Sequence, residues 1–251
     1  MPHLILLGSA ASVPDADHDT VSLVLCGPGW SVLIDCGGSP LYKLARLGMD
    51  PETVHAVILT HGHADHLYGL PILVQGLWLG GRDAALPVYG ARQALDRARQ
   101  LLALMDLINS DRRLGLEWHS VPLREGQQVL AMDEISVSAS PVPHLDQDTL
   151  ALRFDNSVTK RAIVYSADTE PCPTLTRLAA GADLLLHEAT GDFPGHSTPA
   201  GAAEVARKAG VGQLALIHYP VHGVSLEAWQ RQAAGFPGAV TLATDGDVYP
   251  L

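Results

Sequence analysis

The sequence predicts an α/β domain made of two strand–helix halves, their sheets packed face to face and their helices on the outside. Three observations predict it. Short apolar runs alternate with segments of helical periodicity, separated by Gly and Pro punctuation. The same order, strands first and then a helix-bearing segment, occurs in both halves of the chain. The 251 residues, 47% apolar and 17% charged, can fill one large core, and no low-complexity linker or charge block divides them. Residues 1–251 are therefore read as a single domain.

In the first half, strands are expected at Leu4–Leu7, Val21–Cys26, Val32–Asp35 and Val54–Thr60. A helix is expected over Leu95–Met105, where Leu95, Leu101, Leu102 and Met105 fall at helical spacing. In the second half, strands are expected at Ile135–Ala139, Leu150–Phe154, Ala162–Ser166, Asp183–His187, Leu214–His218 and Val240–Thr244. Helices are expected near Thr174–Ala180, Pro199–Lys208 and Leu226–Ala234. Pro199 suits a first helical turn, with Ser197 or Thr198 as its N-cap. The apolar segment Leu67–Gly80, with Leu70, Leu73, Leu77, Trp78 and Leu79, reads as core or as the face of a homodimer.

Composition narrows the setting. No stretch approaches the ~20 apolar residues that span a bilayer. The start, Met1-Pro2-His3 before Leu4–Leu7, has no basic segment and reads as a first strand, not a signal peptide. Three cysteines, Cys26, Cys36 and Cys172, match no zinc-ribbon spacing and read as buried free thiols in a reducing cytoplasm. The net charge of −11 argues against broad electrostatic binding of long nucleic acid, although two bound divalent ions would return positive charge to one spot. The densest basic stretch, Arg92, Arg97, Arg99, Arg112 and Arg113, is interrupted by Asp96, Asp106 and Asp111. It reads as a solvated helix face in preference to a phosphate-binding patch.

The chemistry gathers where strands end. Val57-Ile58-Leu59-Thr60 runs directly into His61-Gly62-His63-Ala64-Asp65-His66, with only glycine and alanine as spacers. A turn that tight can aim His61 and His63 to one side and Asp65 and His66 to the other. Imidazole and carboxylate are donors that zinc and its neighbours accept. His144, Asp168 and His218 each follow a further apolar strand.

His61-x-His63-x-Asp65-His66, with those later residues in order, resembles the metallo-β-lactamase superfamily. The likeness extends from Leu7-Gly8-Ser9-Ala10 to Ala243-Thr244-Asp245-Gly246, with Ala167 at the place of a glycine in Ser166-Ala167-Asp168-Thr169. The resemblance implies a four-layer αβ/βα sandwich. It also implies two metal ions, zinc first with manganese or iron as alternatives, and a bridging hydroxide as nucleophile. One ion would belong to His61, His63 and His144 and the other to Asp65, His66 and His218, with Asp168 bridging. Asp35 either orients a ligand histidine from behind or is a turn aspartate ahead of Gly37-Gly38.

Asp183-Leu184-Leu185-Leu186-His187-Glu188-Ala189-Thr190 and Gly195-His196-Ser197-Thr198 resemble the ribonuclease Z-like phosphodiesterase branch. There the matching glutamate and histidine form a dyad: Glu188 would fix the His196 tautomer, and His196 would protonate the leaving alkoxide or stabilise a phosphorane oxygen. His187 points the other way along its strand and reads as structural. The catalytic assignments are thus Asp65, Glu188 and His196.

Two departures from the branch matter. Asp17, His18 and Asp19 stand where an Arg-Asn pair is usual, so His18 either lines the site or is exposed. His144 and Asp168 are 24 positions apart, too close for the protruding arm that grips transfer RNA. The expected enzyme is therefore a metal-dependent hydrolase of a small or short phosphodiester: a cyclic nucleotide, a cyclic phosphate or an oligonucleotide end. The alternatives are a ribonuclease Z-type endonuclease, a thioester or lactone hydrolase on the same metals, a flavin-partnered di-iron oxidoreductase, and a metal-stabilised binding protein.

Overall fold

Leu4 and Leu6 turn into a core shared with Leu152, Phe154 and Leu186, whereas Ile5 and Leu7 turn the other way, against Leu33, Leu44 and Val57. A strand buried on both faces reads as a continuous apolar run, which is why such strands stand out in this sequence. The structure, a computed structural model, describes residues 1–108 and 114–251.

The first half comprises β1 (His3–Gly8), β2 (Ser22–Gly27), β3 (Trp30–Ile34), α1 (Pro40–Arg46), β4 (Val54–Leu59), α2 (Ala64–Leu67), α3 (Leu70–Leu79), β5 (Leu86–Gly90), α4 (Arg92–Leu104) and β6 (Leu116–Ser120). The second comprises β7 (Gln127–Met132), β8 (Ile135–His144), β9 (Gln147–Asn156), β10 (Ala162–Tyr165), α5 (Pro173–Leu178), β11 (Leu184–Glu188), α6 (Pro199–Ala209), β12 (Gln213–Ile217), α7 (Leu226–Arg231), β13 (Ala239–Leu242) and β14 (Val248–Pro250).

Among the described residues these strands form two seven-stranded sheets, ordered β14-β1-β2-β3-β4-β5-β6 and β13-β12-β11-β10-β9-β8-β7. Each sheet is antiparallel at one end and parallel at the other: β3 to β6 and β10 to β13 run parallel. One core lies between the sheets. A second packs the first sheet against α3 and α4, and a third packs the other sheet against α5 and α6. That is the αβ/βα sandwich of four layers. The second half lends one strand to the first sheet, because β14, at the end of the chain, pairs with β1.

Several expectations shift. The helix expected over Leu95–Met105 starts at Arg92, and that near Leu226–Ala234 ends at Arg231. Thr198, not Ser197, caps α6 by accepting the Gly201 N–H. The strand expected at Ile135–Ala139 continues to His144, through Pro141 and Pro143. Pairing with β7 stops at Ala139, so both prolines lie on an edge where no N–H is required. Cys26 and Cys36 are buried, but Cys172 is half-buried and its sulfur accepts the Leu175 N–H at the start of α5. Leu70, Leu73 and Leu77 are core, while Leu79 is exposed. Arg112, Arg113 and Asp111 lie outside the described residues. Among the described residues, no helix is long and apolar enough to cross a membrane.

Candidate metal centre

The strand ends deliver the site. His61 follows Thr60 out of β4, His63 precedes α2, and Asp65 and His66 sit within that single turn of helix. His144 is the last residue of β8, Asp168 lies just past β10, and His218 follows β12 at once. The donor atoms of His61, His63, His144 and Asp168 all lie within 4.8 Å of one another, and so do those of Asp65, His66 and His218. Asp168 Oδ2 stands between the two sets. It is 3.8 Å from His61 Nε2 and from His144 Nε2, and 3.5 Å from His66 Nε2 and from His218 Nε2.

The outer nitrogens of four imidazoles are spoken for, which turns the inner ones to the centre. His66 Nδ1 donates to Asp35 Oδ2 at 2.8 Å, and His144 Nδ1 donates to the Gly195 carbonyl at 2.7 Å. His218 Nδ1 meets Thr190 Oγ1 at 2.8 Å, and His61 Nδ1 meets Thr60 Oγ1 at 3.2 Å. Asp35 is itself fixed: it accepts the Thr60 N–H, the Thr60 hydroxyl and, at 3.3 Å, the Tyr165 hydroxyl. Partners of this kind set ring orientation and donor strength at metal sites.

Electrostatics sort the imidazoles. Burial pushes His61 well below its ordinary value, with His66 adding to the effect, and burial lowers His63 and His144 as well. Burial pulls His66 and His218 the same way, but carboxylates win. Asp168 and Asp35 hold His66 well above its usual range, and Asp168 and Asp65 raise His218. Burial opposes ionisation of Asp168 too, yet His218 and His66 keep it well below the usual carboxylate range.

The backbone is bent to fit. Asp35 (φ 59°), Leu145 (φ 48°), Ala167 (φ 51°) and His218 (φ 48°) all occupy the left-handed region beside or within the centre. Each such residue costs on the order of 1–3 kcal/mol and persists where its surroundings over-determine it.

His61 Nε2, His66 Nε2 and Asp168 Oδ1 are buried without a hydrogen-bond partner among the described residues. Leaving a buried polar atom unpaired costs about 1–3 kcal/mol, so three converging lone-pair donors fit a cation and fit little else. Nitrogen and carboxylate donors gathered this closely fit divalent metal.

Glu188 and His196 come together beside this cluster. Glu188 is fully buried, and its Oε1 lies 3.0 Å from His196 Nδ1. The same carboxylate accepts the N–H groups of Thr169, Thr190 and Ser197. The His196 ring centroid is 4.7 Å from that of His144 and 5.9 Å from that of His218. Asp168, His196 and His218 also satisfy the donor geometry for an ion. His187 turns away, its Nδ1 on the Glu188 carbonyl. His18 bonds Asp15 and packs edge-on to Tyr219.

Some functional partners escaped the sequence reading. Thr60 adjoins His61 and Thr190 lies two residues past Glu188, and that closeness is their one signal. Ser12, whose hydroxyl donates to Asp65 Oδ2 at 2.6 Å, and Tyr165 carry no local signal. Arg97, read as part of a solvated face, donates to the Gly62 carbonyl and to Gln147 Oε1 behind the His61–His63 turn. The end motifs meet as well: Ser9 donates to Asp245, and the Ser9 carbonyl accepts the His218 N–H.

A β-lactamase superfamily domain model matches residues 24–219. Ribonuclease Z of Methanothermobacter thermautotrophicus is 28% identical over 271 aligned positions, covering 87% of this chain and 86% of that protein. The metallo-β-lactamase fold protein YhfI from Bacillus subtilis superposes with a TM-score of 0.83 at 25% identity, covering 99% of this chain and 98% of that one. A diphosphatase of the PhnP family superposes with a TM-score of 0.79 at 22% identity, over 100% of this chain and 98% of that one. A match over most of its length, the layered fold and a His/Asp cluster built for divalent metal together decide the matter: the chain belongs to the β-lactamase superfamily, with the metallo-β-lactamase fold.

Proposed function

We propose that the chain is a metal-dependent phosphodiesterase that cleaves small or short phosphodiesters, holding two zinc ions. The first would be held by His61, His63 and His144 and the second by Asp65, His66 and His218, with Asp168 common to both. Manganese or iron would suit the same donors. When bound, the ions supply Lewis acidity toward the phosphoryl oxygens and an activated water.

The observation that carries the reading is the Glu188–His196 pair beside the donor cluster. A carboxylate only accepts, so His196 holds its Nδ1 proton toward Glu188 and presents Nε2 to the substrate. His196 Nε2 delivers a proton to the departing alkoxide, and Glu188 pairs with the doubly protonated ring beforehand. Three backbone N–H groups hold the Glu188 carboxylate in place. Carbonyl hydrolysis on the same metals has no need of such a pair, which is why thioester or lactone hydrolysis ranks below it.

A ribonuclease Z-type endonuclease is the second reading, favoured by the relatives of that name. Against it, the alignment with the Methanothermobacter protein is longer than this 251-residue chain, so that relative carries residues this chain lacks. Between His144 and Asp168 the described chain is a tight turn, β9 and β10, with no arm. The expected substrates are thus cyclic nucleotides, cyclic phosphates and oligonucleotide ends, with the 251 residues acting as one domain in the cytoplasm. Ile72 and Leu79, exposed on α3, are the face on which a homodimer would form.

The test uses leaving groups. His196→Ala is expected to lose on the order of 10²–10⁴ in rate on a diester with an alkoxide leaving group. It should lose far less on bis-p-nitrophenyl phosphate, whose nitrophenolate departs without a proton, and should keep its metal content. Glu188→Gln should follow the same pattern more mildly. Equal losses on both esters would remove the acid role, and metal loss in His196→Ala would make His196 a ligand.

A further inference from the structure

A cleft of about 560 Å³ opens beside the metal centre, with His196 and His218 in its wall. Among its lining residues there is no lysine, arginine, aspartate or glutamate. Val13, Leu145 and Phe193, 66%, 60% and 63% exposed, line it together with Val221. Three large apolar side chains left in water at the mouth of a polar site are a docking surface, not a packing accident.

The same turn presents the acid and the ring. The His196 N–H donates to the Phe193 carbonyl at 3.1 Å, and the Phe193 N–H donates to the Gly191 carbonyl at 2.9 Å. Gly191 has φ 124°, and a Cβ there would press on Trp229, so this turn is held against α7. Phe193 and His196, joined by this turn, line the same cleft.

We propose that this cleft receives the leaving-group half of the substrate, and that this half is a flat, uncharged ring system such as a nucleobase or aryl group stacked on Phe193. The inference rests on the phosphodiesterase reading and names its substrate class. Continuity with the centre fixes the location, because His196 and His218 belong to both. Charge selects the ligand. A monoanionic diester brings its one negative charge to the donor cluster and its apolar substituent to an apolar wall. A polyphosphate or a long nucleic-acid strand would set further charges against a lining with no lysine or arginine to meet them.

Binding can be read without turnover. Diphenylphosphinate and dimethylphosphinate carry the same single charge, have P–C bonds that cannot be hydrolysed, and differ in their rings. In calorimetric titration of the metal-loaded protein, diphenylphosphinate should bind about tenfold more tightly or better, the scale of one aromatic stack. Phe193→Ala should abolish that preference and leave dimethylphosphinate binding unchanged, while Phe193→Trp should keep it. Val13→Ser, at a second exposed position, should reduce it partway. A parent protein with no preference, or a preference that survives Phe193→Ala, overturns the proposal. Failure of the phosphodiesterase reading would appear separately, as no turnover of bis-p-nitrophenyl phosphate by the same preparation.

Discussion

The two sides of the donor cluster are built to different standards. On the side of Asp65, His66 and His218, each imidazole leans on a fixed partner: His66 on a fully buried Asp35 that itself accepts three further hydrogen bonds, and His218 on Thr190. On the side of His61, His63 and His144, the support is a threonine hydroxyl and a peptide carbonyl. His63 is half-buried, and the one hydrogen bond of its ring among the described residues joins Nδ1 to His144 Nε2 at 3.0 Å, inside the cluster. One donor set has a buried carboxylate behind it, and the other has only neutral groups, buried as well. The lesson is that equal ligand counts do not make equal sites. The side with a buried anionic support should bind its ion more tightly and exchange it more slowly.

Removing the shared member erases the comparison and should have the largest effect. Asp168→Ala is expected to reduce metal content from two ions per chain to at most one, by elemental analysis. Phosphodiesterase activity should fall on the order of 10³-fold as charge stabilisation worth several kcal/mol is lost. Two ions retained would remove Asp168 from the bridging position.

Asp35→Ala strikes the stronger side alone. Loss of such a support typically costs 10- to 100-fold in metal affinity. Competition with a chelator should show the tighter of the two dissociation constants weakening by about that factor while the looser one stays put. His63→Ala should do the converse. The asymmetry disappears if Asp35→Ala weakens the looser site instead.

The smallest effect, and the one that sharpens the comparison, is in protons. His66 and His218 are raised by their carboxylates despite burial, so near neutral pH a cation must displace protons from them. His61, His63 and His144 are lowered, with burial as the chief cause, and already offer free lone pairs. Affinity of the Asp65–His66–His218 set should therefore rise with pH through the neutral range while that of the other set changes little. Titrations in two buffers of different ionisation enthalpy should find proton release confined to the tighter site. Equal release from both would contradict the sorting.

How much of this was legible in the sequence depends on the residue. Strands buried on both faces announce themselves, and the clustered histidines and aspartates stand at their ends, so the order of the cluster could be read along the chain. The α3 helix could not be identified as one: Leu-Pro-Ile-Leu-Val-Gln-Gly-Leu-Trp-Leu has hardly a polar stripe to mark a period of 3.6. Pro87 obscured β5 as Pro141 and Pro143 obscured the end of β8. β6, with Glu117 and Ser120 exposed, lacks the apolar run that marks its neighbours. α1 is only seven residues long and had no stripe to show. Ser12 and Tyr165 reach the centre from distant parts of the chain, and only the folded geometry brings a serine near the start to a carboxylate in α2.

Gly195 links two functions through one peptide. Its carbonyl accepts from the His144 imidazole, and a Cβ on it would collide with Leu145. Its own N–H is held by Glu170, and the next residue is His196. The peptide that steadies the His144 ring is therefore the one that leads into His196, so the two imidazoles share one anchor and cannot be repositioned independently.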